Sequence, residues 1–161
     1  MFRKLLAAPN DPTLTLLRLA LGIVMFAHGA QKALGWFGGY GFSGTMGSFT
    51  HMGIPAPFAF LAICAEFLGG LGLILGLLAR IGAFGIVVNM LVAVLTVHLG
   101  NGFFMNWAGA KKGEGFEYHI LAIAIALAII VKGAGAYSLD GALERSQAQS
   151  LGGRLEPHRA H

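Results

Sequence analysis

Charge is the scarcest property of this chain. Only 11% of its 161 residues are Asp, Glu, Lys or Arg, against about 25% in a typical soluble domain. Charge that sparse cannot coat a water-facing surface, so a soluble globule is excluded and lipid must cover the outside. Cysteine is nearly absent as well. Cys64 stands alone, which rules out an intramolecular disulfide and any internal thiol–disulfide relay. No Gly-x-Gly-x-x-Gly run opens a helix after a strand, so neither a flavin nor a nicotinamide fingerprint is legible, and there is no haem-attachment Cys motif. No His-x-x-x-His pair and no Glu-x-x-His on an apolar face occurs, so no metal site is expected.

What the chain does hold is apolar length. It is 56% hydrophobic, with a mean hydropathy of +0.71. A bilayer core takes roughly 20 apolar residues in a helix. Four stretches meet or approach that length: Thr13–Leu34, Pro57–Leu78, Ile81–Leu99 and Glu117–Val131, the last extending past Lys132. Asp11-Pro12 and the Pro55/Pro57 pair are helix-start signals. The expected fold is all-α: a polytopic membrane protein built as an antiparallel bundle of four transmembrane helices. Its parts are a cytoplasmic N-terminal segment (1–12), the four-helix domain (13–140) and a polar, disordered cytoplasmic tail (141–161), into which a short helix runs. With only Ala79-Arg80 between them, spans two and three should form a tight hairpin. Many of the 25 glycines lie inside the spans, and Gly72/Gly76 form a Gly-x-x-x-Gly step suited to close helix approach.

The net charge of +4 reads as membrane orientation rather than nucleic-acid binding. Arg3, Lys4, Arg18, Arg80, Lys132, Arg145, Arg154 and Arg159 fall on one side of the four spans, and Lys32, Lys111 and Lys112 on the other. The positive-inside rule then places both termini in the cytoplasm of a bacterial-type plasma membrane. Arg18 interrupts the first apolar stretch, which is also too long for a signal peptide. The segment 35–56 has no acidic or basic carboxylate, ammonium or guanidinium group and is rich in aromatics. It is expected as a loop at headgroup level, an aromatic belt or a cover over the bundle mouth.

Ionisable residues inside lipid are functional-site candidates by default, because an unpaired charge there costs several kcal/mol. Counting helical rise from the outer end, Glu66 lies roughly 13 Å down, Asn89 about 15 Å and His28 about 9 Å. Gln31 and Lys32 share the His28 side of span one, and Lys32, His98 and Glu117 sit at the rim. Glu66 and His28 are the candidate proton-handling pair. Lys32, Gln31, His98, Glu117 and Asn89 are the candidate substrate-binding residues. Glu117 and His119 point to opposite faces, and Glu117 is expected inward. The plain structural alternatives are a Glu66–His28 pair that only joins helices and an Asn89 that is interhelical glue. At the other end, Arg18, Arg80 and Asp140 are expected as a structural clasp closing the cytoplasmic face.

This pattern resembles the DoxX family of four-helix membrane proteins. The residues that carry the resemblance are Arg18 through Phe26, His28, Gln31, Lys32 and Leu34, then Ala65-Glu66 and the glycines after it, then Gly76 to Arg80, and last the apolar span from Tyr118 ending in Gly135 to Asp140. It covers residues 13–143. The resemblance implies a subunit of a membrane redox system, since the family is named for part of a thiosulfate:quinone oxidoreductase and some members resemble components of redox-defence complexes with soluble partners. No intrinsic cofactor is expected, a quinone or small sulfur anion is the expected ligand, and a redox partner protein would supply electrons. A homo-oligomer is compatible with the glycine faces. The competing functions are a non-enzymatic membrane scaffold or assembly factor and a small-solute carrier.

Overall fold

The computed structural model describes residues 5–152. Arg3, Lys4, Arg154 and Arg159, and the end of the expected tail, lie outside the described residues. Among the described residues the chain is entirely helical. We number its helices α1 (Pro12–Leu34), α2 (Gly41–His51), α3 (Ala56–Leu75), α4 (Ala79–Ala93), α5 (Glu117–Lys132) and α6 (Leu139–Gly152). A π-helical turn, Val94–His98, and a 3-10 turn, Leu99–Asn101, prolong α4.

Local chemistry sets these boundaries. The Asp11 carboxylate accepts from the Thr13 and Leu14 amides at 2.8 and 3.4 Å, and Pro12 occupies the first turn, where no amide donor is needed. Gly35 ends α1 in the left-handed region. Helix α3 stops at Gly76 (φ 65°), so the Gly72/Gly76 step is a helix terminus, where Gly76 admits the close approach of Ser138. The hairpin link is consequently Gly76–Leu78, and Ala79 and Arg80 form the first turn of α4 instead of the link. Leu78 is left-handed too (φ 49°), a conformation that costs a non-glycine residue about 1–2 kcal/mol. Asp140 offsets that cost: its two carboxylate oxygens accept the Leu78 and Ala79 amides at 2.7 and 2.9 Å.

Three helices are long and apolar enough to cross a membrane: Pro12–Leu34, Ala56–Leu75 and Ala79–Asn101. Helix α5 is equally apolar but has 16 residues, a length of about 24 Å. Helix α1 lies against α3 and α5, and α4 packs between α3 and α5. The core is formed by Leu21, Met25, Leu73, Ile86, Met90 and Ile129, with alanines from α4 and α5 filling the gaps. The α1–α3 contact is the tightest. Methyl groups on Gly29 or Gly70 would collide with the backbone of Phe67 or Phe26 on the facing helix. Gly69 of α3 and Gly82 of α4 meet in the same way. We expect Gly29→Ala to destabilise the protein by about 1–3 kcal/mol, the usual cost of forcing packed elements apart. A denaturant titration in detergent checks this, and an unchanged midpoint would mean that α1 and α3 part without cost.

The segment 35–56 is more ordered than a loop. It makes a 3-10 turn at Trp36–Gly38 and then α2, which packs on α1 and α3 and buries its own Thr45. Residues 141–152, where a short helix is expected to run into the polar tail, belong to α6.

Candidate functional site

Two polar assemblies occupy opposite ends of the bundle. At the end near the termini, Arg18 is 1% exposed. Its guanidinium donates to the carbonyls of Leu73, Ile74 (2.7 Å), Ala134 (2.9 Å) and Tyr137 (3.3 Å). Arg80 donates to Ile130, Val131 (3.0 Å) and Ala7 (3.3 Å). Asp140, also 1% exposed, holds the α3–α4 link as described. Burial pushes its carboxyl above the ordinary range, against the pull of the Ala79 and Leu78 amides and the Arg18 and Arg80 charges. The structure brings Arg18, Arg80 and Asp140 to one end of the bundle, where the arginines hold backbone carbonyls and Asp140 holds backbone amides.

The second assembly crosses three helices at the other end. Glu66 on α3 is 5% exposed. One carboxylate oxygen takes the Lys32 ammonium from α1, and the other accepts the Asn89 amide from α4 at 2.8 Å. Among the described residues this is the one side-chain ion pair. Lys32 was expected at the rim and His28 beside Glu66. The structure exchanges these roles, because the lysine stem is long enough to bring its ammonium down from the rim to the carboxylate. The Lys32 side chain remains 26% exposed, so the pair is reachable from one side. His28 is exposed, and its ring faces Tyr118 of α5, centroid to centroid 6.2 Å.

The remaining candidates divide. Gln31 turns toward the 3-10 turn, 3.4 Å from the Phe37 carbonyl. Glu117 does not face the recess. Its carboxylate accepts the Met105 amide (2.9 Å) and the Trp107 indole N–H (3.2 Å), and so folds the loop before α5. The inward residue is His119, 5% exposed. Its spacing reveals why: 119, 122, 126 and 129 form one buried helical stripe, a periodicity that outranks the charge on Glu117. His98, carried by the π-turn, lies against His119 with ring centroids 4.2 Å apart and the rings tilted by 44°, and it donates from Nδ1 to the Glu114 carbonyl at 2.9 Å. Sequence reasoning placed Glu117 inward where the structure places His119. Among the described residues no group of three or more His, Cys, Asp or Glu side chains could hold a metal ion.

An apolar helical protein whose charges are buried as a cross-helix pair is a membrane protein. The particular family follows from comparison: the family model DoxX matches residues 13–99, and the chain belongs to the DoxX family. A Bacillus subtilis (strain 168) protein named "Putative oxidoreductase CatD" is 31% identical over 114 residues, which cover 71% of this chain and 75% of that protein. No solved structure matches.

Proposed function

We propose that this chain is the membrane subunit of a redox system and binds a quinone headgroup, or a small sulfur anion, at the recess where Lys32, Glu66 and Asn89 meet. The observation that carries the reading is the buried Glu66 carboxylate held by Lys32 and Asn89, with the ammonium partly open. An ammonium on an apolar wall attracts a quinone carbonyl oxygen or an anion. A neighbouring carboxyl can supply or take the accompanying proton. Reduction of a quinone consumes two electrons and two protons. The electrons would come from a partner protein, and Glu66 would pass the protons. His28 would border the ligand. The relative's printed name points in the same direction.

The same reading has α5 cross the membrane as the fourth helix of an antiparallel bundle in a bacterial plasma membrane. Arg18, Arg80, Lys132 and Arg145 would then mark the cytoplasmic end, with both termini, and the Lys32–Glu66 recess would open to the other side. Tyr118 and Lys132 at the two ends of α5 would compensate for its shortness by reaching to the interfaces. Homo-oligomerisation through the outer glycines would be compatible with this arrangement.

Glu66→Gln keeps the shape and the Asn89 contact but cannot carry a proton. Quinone-dependent turnover in membranes should fall by about 100-fold or more. Turnover equal to wild type would remove this mechanism. A scaffold is the second reading. It is favoured by one fact: both Glu66 oxygens already have side-chain partners.

A further inference from the structure

The loop between α4 and α5 turns its polar groups inward and its rings outward. Phe103 is 47% exposed, Phe104 65% and Trp107 87%, and Ala108, Gly109 and Ala110 are exposed beside them. The stretch 103–110 contains no charged side chain. Asn106, its polar side chain besides the indole, is folded back: the side-chain amide donates to the Lys111 carbonyl and its oxygen accepts the Lys111 backbone amide, both at 2.9 Å. The Trp107 indole gives its single donor to Glu117, so the surface that the ring offers outward is apolar.

Much of the loop's backbone is satisfied from within. The Phe116 and Glu117 amides donate to the carbonyls of Gly102 (3.2 Å) and Phe103 (2.9 Å). The Met105 amide is held by Glu117 and the Asn106 amide by Glu114 (2.6 Å). The Phe104 carbonyl accepts the Lys111 ammonium at 3.0 Å, and the Glu114 carbonyl accepts from His98 and Asn101. A methyl group on Gly115 would strike the carbonyls of Gly102, Phe103 and Phe104, so the turn is packed as well as bonded. An irregular loop in water can leave such groups to solvent. One at the edge of the hydrocarbon cannot, since each unsatisfied group there is costly. Helix α5 supplies a second reason. Its 16 residues give about 24 Å of rise, short of the roughly 30 Å hydrocarbon core. A crossing helix of that length keeps the segment joined to it close to the acyl chains.

We propose that the tip 103–110 inserts into the boundary between headgroups and acyl chains of a phospholipid bilayer, that Lys111 and Lys112 bind lipid phosphates above it, and that the start of α5 is thereby anchored in the leaflet. Aromatic rings are favoured at that depth. Lys111 and Lys112 follow the tip directly and are exposed. The Lys111 ammonium lies 5.9 Å from the centre of the Phe104 ring. It gives one donor to the Phe104 carbonyl, and its other donors stay free for a phosphate. The occupant is lipid rather than a protein surface, because a protein interface rich in rings also carries a rim of hydrogen-bonding groups, and the side chains of this tip offer none free. The inference uses the reading of α5 as a span only for the leaflet that the tip enters.

The test uses the full chain with Trp36→Phe, which leaves Trp107 as the sole indole, in phosphatidylcholine vesicles. Lipids brominated just below the headgroup should remove most of the Trp107 emission. Lipids brominated near the chain ends should remove little, and aqueous acrylamide should quench weakly. Undiminished emission with the shallow bromines, together with strong acrylamide quenching, would overturn the anchor and leave the rings to water or a protein partner. Adding phosphatidylglycerol should protect Trp107 further from acrylamide. That extra protection should be lost in Lys111→Ala/Lys112→Ala, and its persistence there would overturn the phosphate contact. The side of the membrane is read separately, by an impermeant maleimide on Lys112→Cys in a Cys64→Ser chain in whole cells. Labelling only after the cells are opened, with the shallow quenching intact, would keep the anchor and overturn α5 as the fourth span. Labelling from outside without shallow quenching would remove the anchor alone.

Discussion

Arg18→Met is expected to lower the stability of the folded chain by about 3–5 kcal/mol, because several buried carbonyls lose their donor at about 1–3 kcal/mol each. The methionine would fill the space of the stem. It would leave the carbonyls of Leu73, Ile74, Ala134 and Tyr137 without their donor. Leu73 and Ile74 belong to the last turn of α3, where orphan carbonyls gather the negative end of the helix dipole. Ala134 and Tyr137 belong to the segment between α5 and α6. One guanidinium thus joins three parts of the chain, which its planar fork of five donors allows. Arg18→Lys should recover less than half of the loss, because one ammonium cannot reach carbonyls on both sides. Unfolding by SDS titration from mild detergent measures the difference. A loss below about 1 kcal/mol would place Arg18 among ordinary surface substitutions and remove the clasp as a structural device.

The clasp and the recess together explain a division of labour along the bundle axis. At one end the charges bond to backbone, and Arg18 and Asp140 are fully enclosed. At the other, Lys32 bonds to a side chain and stays partly open. Backbone partners cannot be exchanged for a ligand without loosening a helix end. A side-chain partner can. That asymmetry favours placing chemistry at Lys32–Glu66 and rigidity at Arg18–Asp140.

Hydropathy made three of the helices legible, because apolar runs in Pro12–Leu34, Ala56–Leu75 and Ala79–Asn101 leave few alternatives. The nearness of Glu66 and Asn89 was legible too, since both interrupt an apolar stretch at a similar depth; the reach of Lys32 from the rim down to Glu66 was not, because depth counted along the backbone ignores the length of a lysine stem. Three other features were hidden for physical reasons. Helix α2 is glycine-rich, and intrinsic propensity argues against a helix there; contact with α1 and α3 overrides it. The α3–α4 link shifted by three residues because Leu78 is left-handed, a strain that only the distant Asp140 makes tolerable. The choice of Glu117 over His119 weighed charge above periodicity, and the loop that captures Glu117 is irregular and has no pattern to read.

Lys32→Met should destabilise the protein by about 3–5 kcal/mol, because it strands Glu66 as a buried carboxylate with one amide partner. The double variant Lys32→Met/Glu66→Leu should be far more stable than the single one, within about 1–2 kcal/mol of wild type, since replacing both members of a buried pair by apolar groups is often neutral. Asn89 then loses its acceptor, which accounts for the residual cost. A double-mutant cycle of unfolding free energies in detergent measures the coupling. The two functional readings separate on this variant. If the pair is only glue between α1 and α3, a stable double variant keeps whatever biological role the protein has. If the pair holds a ligand and passes its proton, the double variant folds, sits in the membrane and has no quinone-dependent turnover. Additive effects of the two substitutions would show that Lys32 and Glu66 do not act as a pair in solution, and with that result the recess would lose its charged centre.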